Sequence, residues 1–259
     1  MSLLNVGARA LLAKAAAGIS VQLSSPVAGL DWDNAVEART PKGRIRARAA
    51  IVTVSTDVLA SGAIDFSPAL PKRQLDALAA LSLGSFEHIA FELPGNPLGL
   101  APDDLVLEKA AGPRTAALLA NIGGSRLCTV EIAGSFGRDL AKQGETAMTA
   151  FANEWLASVF GGGAKSLIKR AVATRWSEDP LTRGAFSVAS PGNSDARRIL
   201  LEPLRDRVWF AGEAIHDTLW GTVGGAWESG TRAAEAVLRK FGALKEPNQE
   251  REPKRRRRK

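Results

Sequence analysis

Tyrosine is absent from this chain of 259 residues, cysteine occurs once, and histidine and methionine occur twice each. The lone Cys128 cannot close an internal disulfide, so the fold must rest on apolar burial, and a reducing compartment, the cytoplasm, is the expected location. No run of about eighteen uncharged apolar residues exists, and Arg9 and Lys14 interrupt the only apolar stretch near the start. A membrane-spanning helix is therefore excluded, and no signal peptide is legible. No His/Cys/Asp group has metal-ligand spacing, so no metal is expected, and no Gly-x-Ser-x-Gly nucleophile turn occurs. Internal repeats of solenoid type are missing as well. Charge of one sign is scarce outside the end. The formal charge is +7, but 250–259 hold seven basic residues against two acids, which leaves about +2 for everything before them. The terminal KRRRRK lacks interleaved aromatics, so 241–259 is expected to be a solvated, disordered basic tail, with nucleic acid or an acidic membrane surface as the alternative partner.

What is present is the patterning of an α/β or α+β protein. Leu and Ala spacing predicts a helix over 6–18, stopped by Gly18, and a short strand over 19–23. Pro41-Lys42-Gly43 between 35–40 and 45–49 predicts a hairpin. The β-branched run 50–55 (AIVTVS) predicts a strand buried on both faces. A helix is expected over 72–81, and 87–93 alternates as a half-buried strand, with Ile89, Phe91 and Leu93 on one side and Phe86, His88 and Ala90 on the other. Further strands are expected over 116–122, 127–133 and 207–211. Long helices are expected over 145–160, closed by three glycines, and over 226–240, with Arg239 and Lys240 at its negative end.

The segment most able to carry chemistry is 208–238, VWFAGEAIHDTLWGTVGGAWESGTRAAEAVL. An apolar strand ends in Ala-Gly-Glu, and a glycine-rich stretch opens a helix whose free amides and positive end suit a phosphate-bearing cofactor. Gly224 and Gly225 remove side chains where backbone must approach a ligand, and Gly230, Ala233 and Ala234 let the helix lie close to a sheet. An ordinary strand-to-helix connection with a terminal glutamate remains the other reading of the same residues.

This stretch resembles the carboxyl-terminal flavin motif of the flavin-containing amine oxidases, the family of monoamine and polyamine oxidases and flavin-type lysine demethylases. Their pattern, F-A-G-E, a short loop, then T-V-x-G-A-x-x-S-G-x-x-A-A, is met by Phe210-Ala211-Gly212-Glu213, Thr222-Val223-Gly224-Gly225-Ala226, Ser229-Gly230 and Ala233-Ala234. Three further blocks follow the family's order. Ser25-Pro26-Val27 resembles P-V-x-x-I, IVTVSTDVLASGAIDF over 51–66 resembles I-V-T-V-P-L-x-V-L-x-x-G-x-I-x-F, and Trp176 with Asp179-Pro180 and Gly184-Ala185-Phe186-Ser187 resembles W-x-x-D-P-x-x-x-G-S-Y-S. The resemblance implies an FAD cofactor, held by Val27 at the adenine, by Gly212 and Glu213 at the ribityl and pyrophosphate portion, by Thr222 and Val223 at the isoalloxazine, and by Trp176. It implies a two-lobed fold, with 1–62 and 203–240 forming a partial FAD-binding lobe and 63–202 a mixed-sheet substrate lobe.

Three positions depart from the family pattern. The family's amino-terminal G-x-G-x-x-G does not occur in this sequence, so the chain is expected to be a truncated form, an inactive remnant, or one half of a split enzyme whose dinucleotide-binding segment comes from a separate chain. On that expectation the chain alone binds FAD weakly. Where many relatives carry a lysine that holds a water near the flavin, this sequence places His88; an imidazole can hold that water too, while a polar residue on the solvent side of a strand is the alternative. With no tyrosine, the expected amine-flanking cage reduces to Phe186 and Thr222, and Trp220 is either an added aromatic wall or core. His216 and the acids Asp31, Asp33 and Glu37 read as surface groups. The activity implied is oxidation of a small-molecule amine to an imine, with hydrogen peroxide formed from oxygen.

Overall fold

The computed structural model describes residues 8–109 and 112–245. The chain opens on α1 (Ala8–Ala15). Over 19–23 the expected strand is not formed: Ile19, Val21 and Leu23 are exposed and have no ladder partner among the described residues, and alternation without a neighbouring strand cannot hold a strand in place. The strands β1 (Gly29–Asp31), β2 (Val36–Thr40) and β3 (Gly43–Ala47) follow, then β4 (Ala50–Val52), α2 (Thr56–Ala60), β5 (Asp65–Ser67) and α3 (Lys72–Ala79). The β2–β3 turn falls at Pro41-Lys42, and the Thr40 hydroxyl donates to the Gly43 carbonyl at 2.8 Å and accepts from the Lys42 amide. Ser55 caps α2 by accepting from the Val58 amide at 3.2 Å.

The middle of the chain supplies β6 (Leu81–Leu83), β7 (Phe86–Glu92), β8 (Leu105–Leu107), β9 (Ala117–Leu119), β10 (Leu127–Ala133), α4 (Gly134–Gln143) and α5 (Glu145–Phe160). Met148, Phe151, Ala152, Trp155 and Leu156 recur at helical spacing and are the buried face of α5. After β11 (Ala171–Ala173), β12 (Ser187–Ala189) and α6 (Ala196–Leu200), the chain ends its regular structure with β13 (Val208–Phe210) and α7 (Val223–Lys240). The basic tail over 246–259 lies outside the described residues.

Two apolar cores organise these elements. The antiparallel sheet β11-β7-β10-β9-β8 packs against α4 and α5, with Ile89, Leu118, Val130, Met148 and Leu156 fully buried. The second core joins the sheet β3-β2-β1-β5 to α3, α6 and β13 through Leu30, Trp32, Phe66, Leu78, Leu200 and Phe210. Residues from both termini thus meet. In particular, β4 pairs in parallel with β13, Ala50 opposite Val208 and Val52 opposite Phe210. The expected burial of β4 on both faces is not met. Ile51 stays 38% exposed, because β13 is the strand's one partner among the described residues. The small β6–β12 ladder ties the two ends of the middle block together, Leu83 opposite Ser187.

Candidate functional site

The parallel β13 delivers Phe210 into the second core and releases the chain at Gly212, whose φ of 139° sits outside the range that L side chains favour. Glu213 then opens a short 3-10 turn and lays its carboxylate across two separate segments. One oxygen accepts from the Ser187 amide at 3.0 Å; the other accepts from the Ser187 hydroxyl at 2.9 Å and the Gly221 amide at 2.6 Å. Thr222 caps α7: its hydroxyl accepts from the Gly225 amide at 3.0 Å and donates to the Leu219 carbonyl at 2.7 Å. Gly225 is required for a reason other than ligand approach, since a Cβ there would lie 2.1 Å from the Leu219 carbonyl oxygen. A Cβ at Gly224 would meet only the Thr222 hydroxyl, at 3.8 Å. The amides of Val223 and Gly224 have no acceptor among the described residues, so the positive end of α7 presents two free donors.

Beside this helix end, His88, Trp176, Phe186 and Glu213 line one cavity of about 510 Å³ together with Phe86, Leu181 and Val54. Four residues far apart in sequence are thus brought together. Phe86 meets the His88 imidazole edge-on, 4.8 Å between ring centres, and lies 6.3 Å from Phe186. His88 is half-buried on β7, and its Nε2 faces the Glu131 carboxylate at 3.7 Å from the opposite position on β10. Trp220 is 48% exposed, which removes its reading as core, and Val223 is 59% exposed. A Cβ at Gly221, which has φ 71°, would lie 3.7 Å from the Phe186 side chain, so the Trp220 segment adjoins the cavity. Val27 does not line it; half-buried, it enters β1 next to Ala28, whose amide donates to the Arg39 carbonyl at 2.9 Å.

Three supporting groups escaped the sequence reading. His216 was expected at the surface and is 5% exposed. Its Nδ1 accepts from the Leu219 amide at 2.9 Å while Nε2 pairs with Glu228 on α7 at 3.0 Å, which makes it the organiser of the loop before α7. Glu87, neighbour of His88, has no exposure at all: its oxygens accept from the Thr174 hydroxyl and from the Trp176 and Ser177 amides at 2.9–3.0 Å, which fixes the turn that carries Trp176. The signal for Glu87 was present, since it shares the inward side of the alternation with Ile89 and Phe91. Arg197, on α6, is also buried, and no motif marks it. Among the surface acids, Glu37 is paired with Arg44 and Arg46.

The residues fit a flavin at the ring end. A planar apolar group can rest against Trp176, Phe186 and Val223, and the unpaired amides of α7 favour negative charge beside it. A cavity of this make-up beside a helix amino terminus suits a flat, partly anionic ligand. More narrowly, the family described as flavin containing amine oxidoreductase matches residues 2–238, and the chain belongs to that family, which implies a flavin cofactor. Relatives include human lysine-specific histone demethylase 2, 29% identical over an alignment of 258 residues that covers 91% of this chain and 30% of the relative. Polyamine oxidase 2 of Arabidopsis thaliana is 30% identical over 223 residues, 82% of this chain and 44% of that protein. Among solved structures, a putrescine oxidase bound to putrescine superposes with a TM-score of 0.73 at 19% identity, covering 89% of this chain and 52% of the other. Cyclohexylamine oxidase from Brevibacterium oxydans gives 0.68 at 22% identity, covering 84% and 48%. The chain therefore spans about a third to a half of the length of the proteins it matches. Among the described residues no helix is long and apolar enough to cross a membrane.

Proposed function

We propose that the chain works as the amine-facing part of an FAD-dependent amine oxidase. The observation that carries this reading is the convergence of His88, Trp176, Phe186 and Glu213 on one cavity beside the amino terminus of α7. When bound, the flavin would accept a hydride equivalent from the amine α-carbon and return the electrons to oxygen as hydrogen peroxide. The protein's own groups do the rest. Trp176 lies on the cofactor side, Phe186 and Trp220 wall the amine and exclude water, and His88 Nε2 holds a water or its proton on the cavity side of β7. Gly212 keeps the backbone open, Thr222 fixes the helix start, and Val223 lines the approach to it. Residues 1–62 and 203–240 form the cofactor side, with Val27 toward the adenine, and 63–202 the substrate side.

FAD titrated into the chain, alone and together with a family-type G-x-G-x-x-G segment, tests the reading through flavin fluorescence. Saturable binding is expected at least with the added segment, together with peroxide release on addition of an amine. Binding that is absent in every arrangement, or unaffected by Val223→Glu at the helix end, would overturn it.

A further inference from the structure

Arg197 is 5% exposed and donates from its guanidinium to three acceptors. Nη1 donates to the Ser187 hydroxyl at 2.7 Å and to the Ala214 carbonyl, and Nη2 donates to the Ser187 carbonyl at 3.1 Å. The flat face of the same group lies 5.0 Å from the Trp220 ring. Ser187 in turn gives its amide and hydroxyl to Glu213, and Glu213 takes the Gly221 amide. Two aromatic residues, Phe186 and Trp220, are therefore each bonded to a neighbour in this network: Phe186 precedes Ser187, and Trp220 precedes Gly221. A Cβ at Gly221 would lie 3.7 Å from the Phe186 side chain, so the two segments run close together.

We propose that Arg197 is a positioning residue for the amine end of the site, holding the Phe186 and Trp220 segments against each other through Ser187 and Glu213. The inference rests on the amine-oxidase reading for its consequence, though not for its geometry. Glu213, with both oxygens taken by Ser187 and Gly221, then acts chiefly as the other half of this clamp. Burial pushes the Arg197 guanidinium down from its ordinary value, opposed by the nearby Glu213 and Asp217, and an arginine so placed remains a cation. A lysine cannot replace it, because one ammonium is a single point charge and cannot serve acceptors spread over two guanidinium nitrogens while also placing a delocalised cation over the indole.

The test uses Arg197→Lys and Arg197→Met, with Arg198→Met, an exposed neighbour on the same helix, as the charge control. The emission of Trp220 is isolated as the difference between each protein and its W220F counterpart. In R197K that component is expected to shift to the red and lose resolution of its environment, and KM for the amine to rise about tenfold with a smaller change in kcat, as coupled neighbours lose their shared geometry. R198M should move neither. A folded R197K whose Trp220 emission matches the original overturns the proposal. If neither Arg197 variant folds, S187A, which removes only the hydroxyl shared by Arg197 and Glu213, gives the same emission readout. Failure of the original chain to turn over any amine would strike the functional reading alone, because the emission needs neither flavin nor amine.

Discussion

The two cores of this molecule differ in how far they have used their apolar side chains. Around β7, β10 and α5, the large residues facing the helices are buried and the Trp155 indole nitrogen donates to Glu108 at 2.7 Å, while Leu127 and Val172 stay exposed and the buried Thr129 hydroxyl has no partner among the described residues. Around β4, β13 and the start of α7, Ile51, Trp220, Val223 and Trp227 remain exposed, and the Val223 and Gly224 amides have no acceptor among the described residues. Apolar surface and unpaired donors left side by side are what a flat, partly anionic ligand would complete. The first core is a scaffold; the second is a surface shaped for something else.

The strongest way to break that contrast is a pair of truncations. Leu156→Ala, in the scaffold core, should cost about 3 kcal/mol in denaturant unfolding, because it removes a fully buried side chain and leaves a cavity. Ile51→Ala should cost under about 1 kcal/mol, since much of that side chain is already in water. Equal losses would mean that the end region is packed as tightly as the middle. Next in size is Glu87→Ala, which leaves the Thr174 hydroxyl and the Trp176 and Ser177 amides without their acceptor; about 2 kcal/mol is expected. Faster amide exchange confined to 174–177 would place that loss in the turn carrying Trp176. Thr222→Ala comes third, with about 1 kcal/mol expected from loss of the cap on α7. Here the discriminating measurement is exchange at Gly225 and Ala226, which should rise while β10 stays protected.

The same contrast explains what the sequence made legible. The expected strand over 127–133 and helix over 145–160 match β10 and α5 residue for residue, because in a finished core apolar periodicity and burial are one pattern. The strand expected over 19–23 and the double burial of 50–55 failed where the apolar residues have no partner to bury them. In the site, the residues carried by the family-like blocks could be named in advance, and the cavity brings His88, Trp176, Phe186 and Glu213 together. The groups behind them could not. Arg197 and His216 look like any loop or helix-end polar residue in sequence, and only the crossing of α6, β12 and the Gly212–Thr222 loop turns them into buried anchors.

The smallest effect expected lies on the β2–β3 hairpin, at the edge of the β3-β2-β1-β5 sheet. Glu37 on β2 is held below the usual carboxylate range, first by hydrogen bonds from Arg44 and then Arg46 of β3, at 2.6 and 3.0 Å. A carboxylate whose folded value is depressed binds its proton less readily in the folded chain than in the unfolded one. Its contribution to stability is therefore complete above the unfolded value, near 4.5, and is lost as the pH falls through the folded value below it. Arg44 and Arg46 are largely exposed, so water and salt screen the pair and the loss should be slight. Comparing the original with Glu37→Gln, thermal midpoints should differ a little at neutral pH and converge below the usual carboxylate range, and added salt should narrow the neutral-pH gap. A difference that persists unchanged into acid would show that Glu37 matters to the hairpin by shape, not by charge.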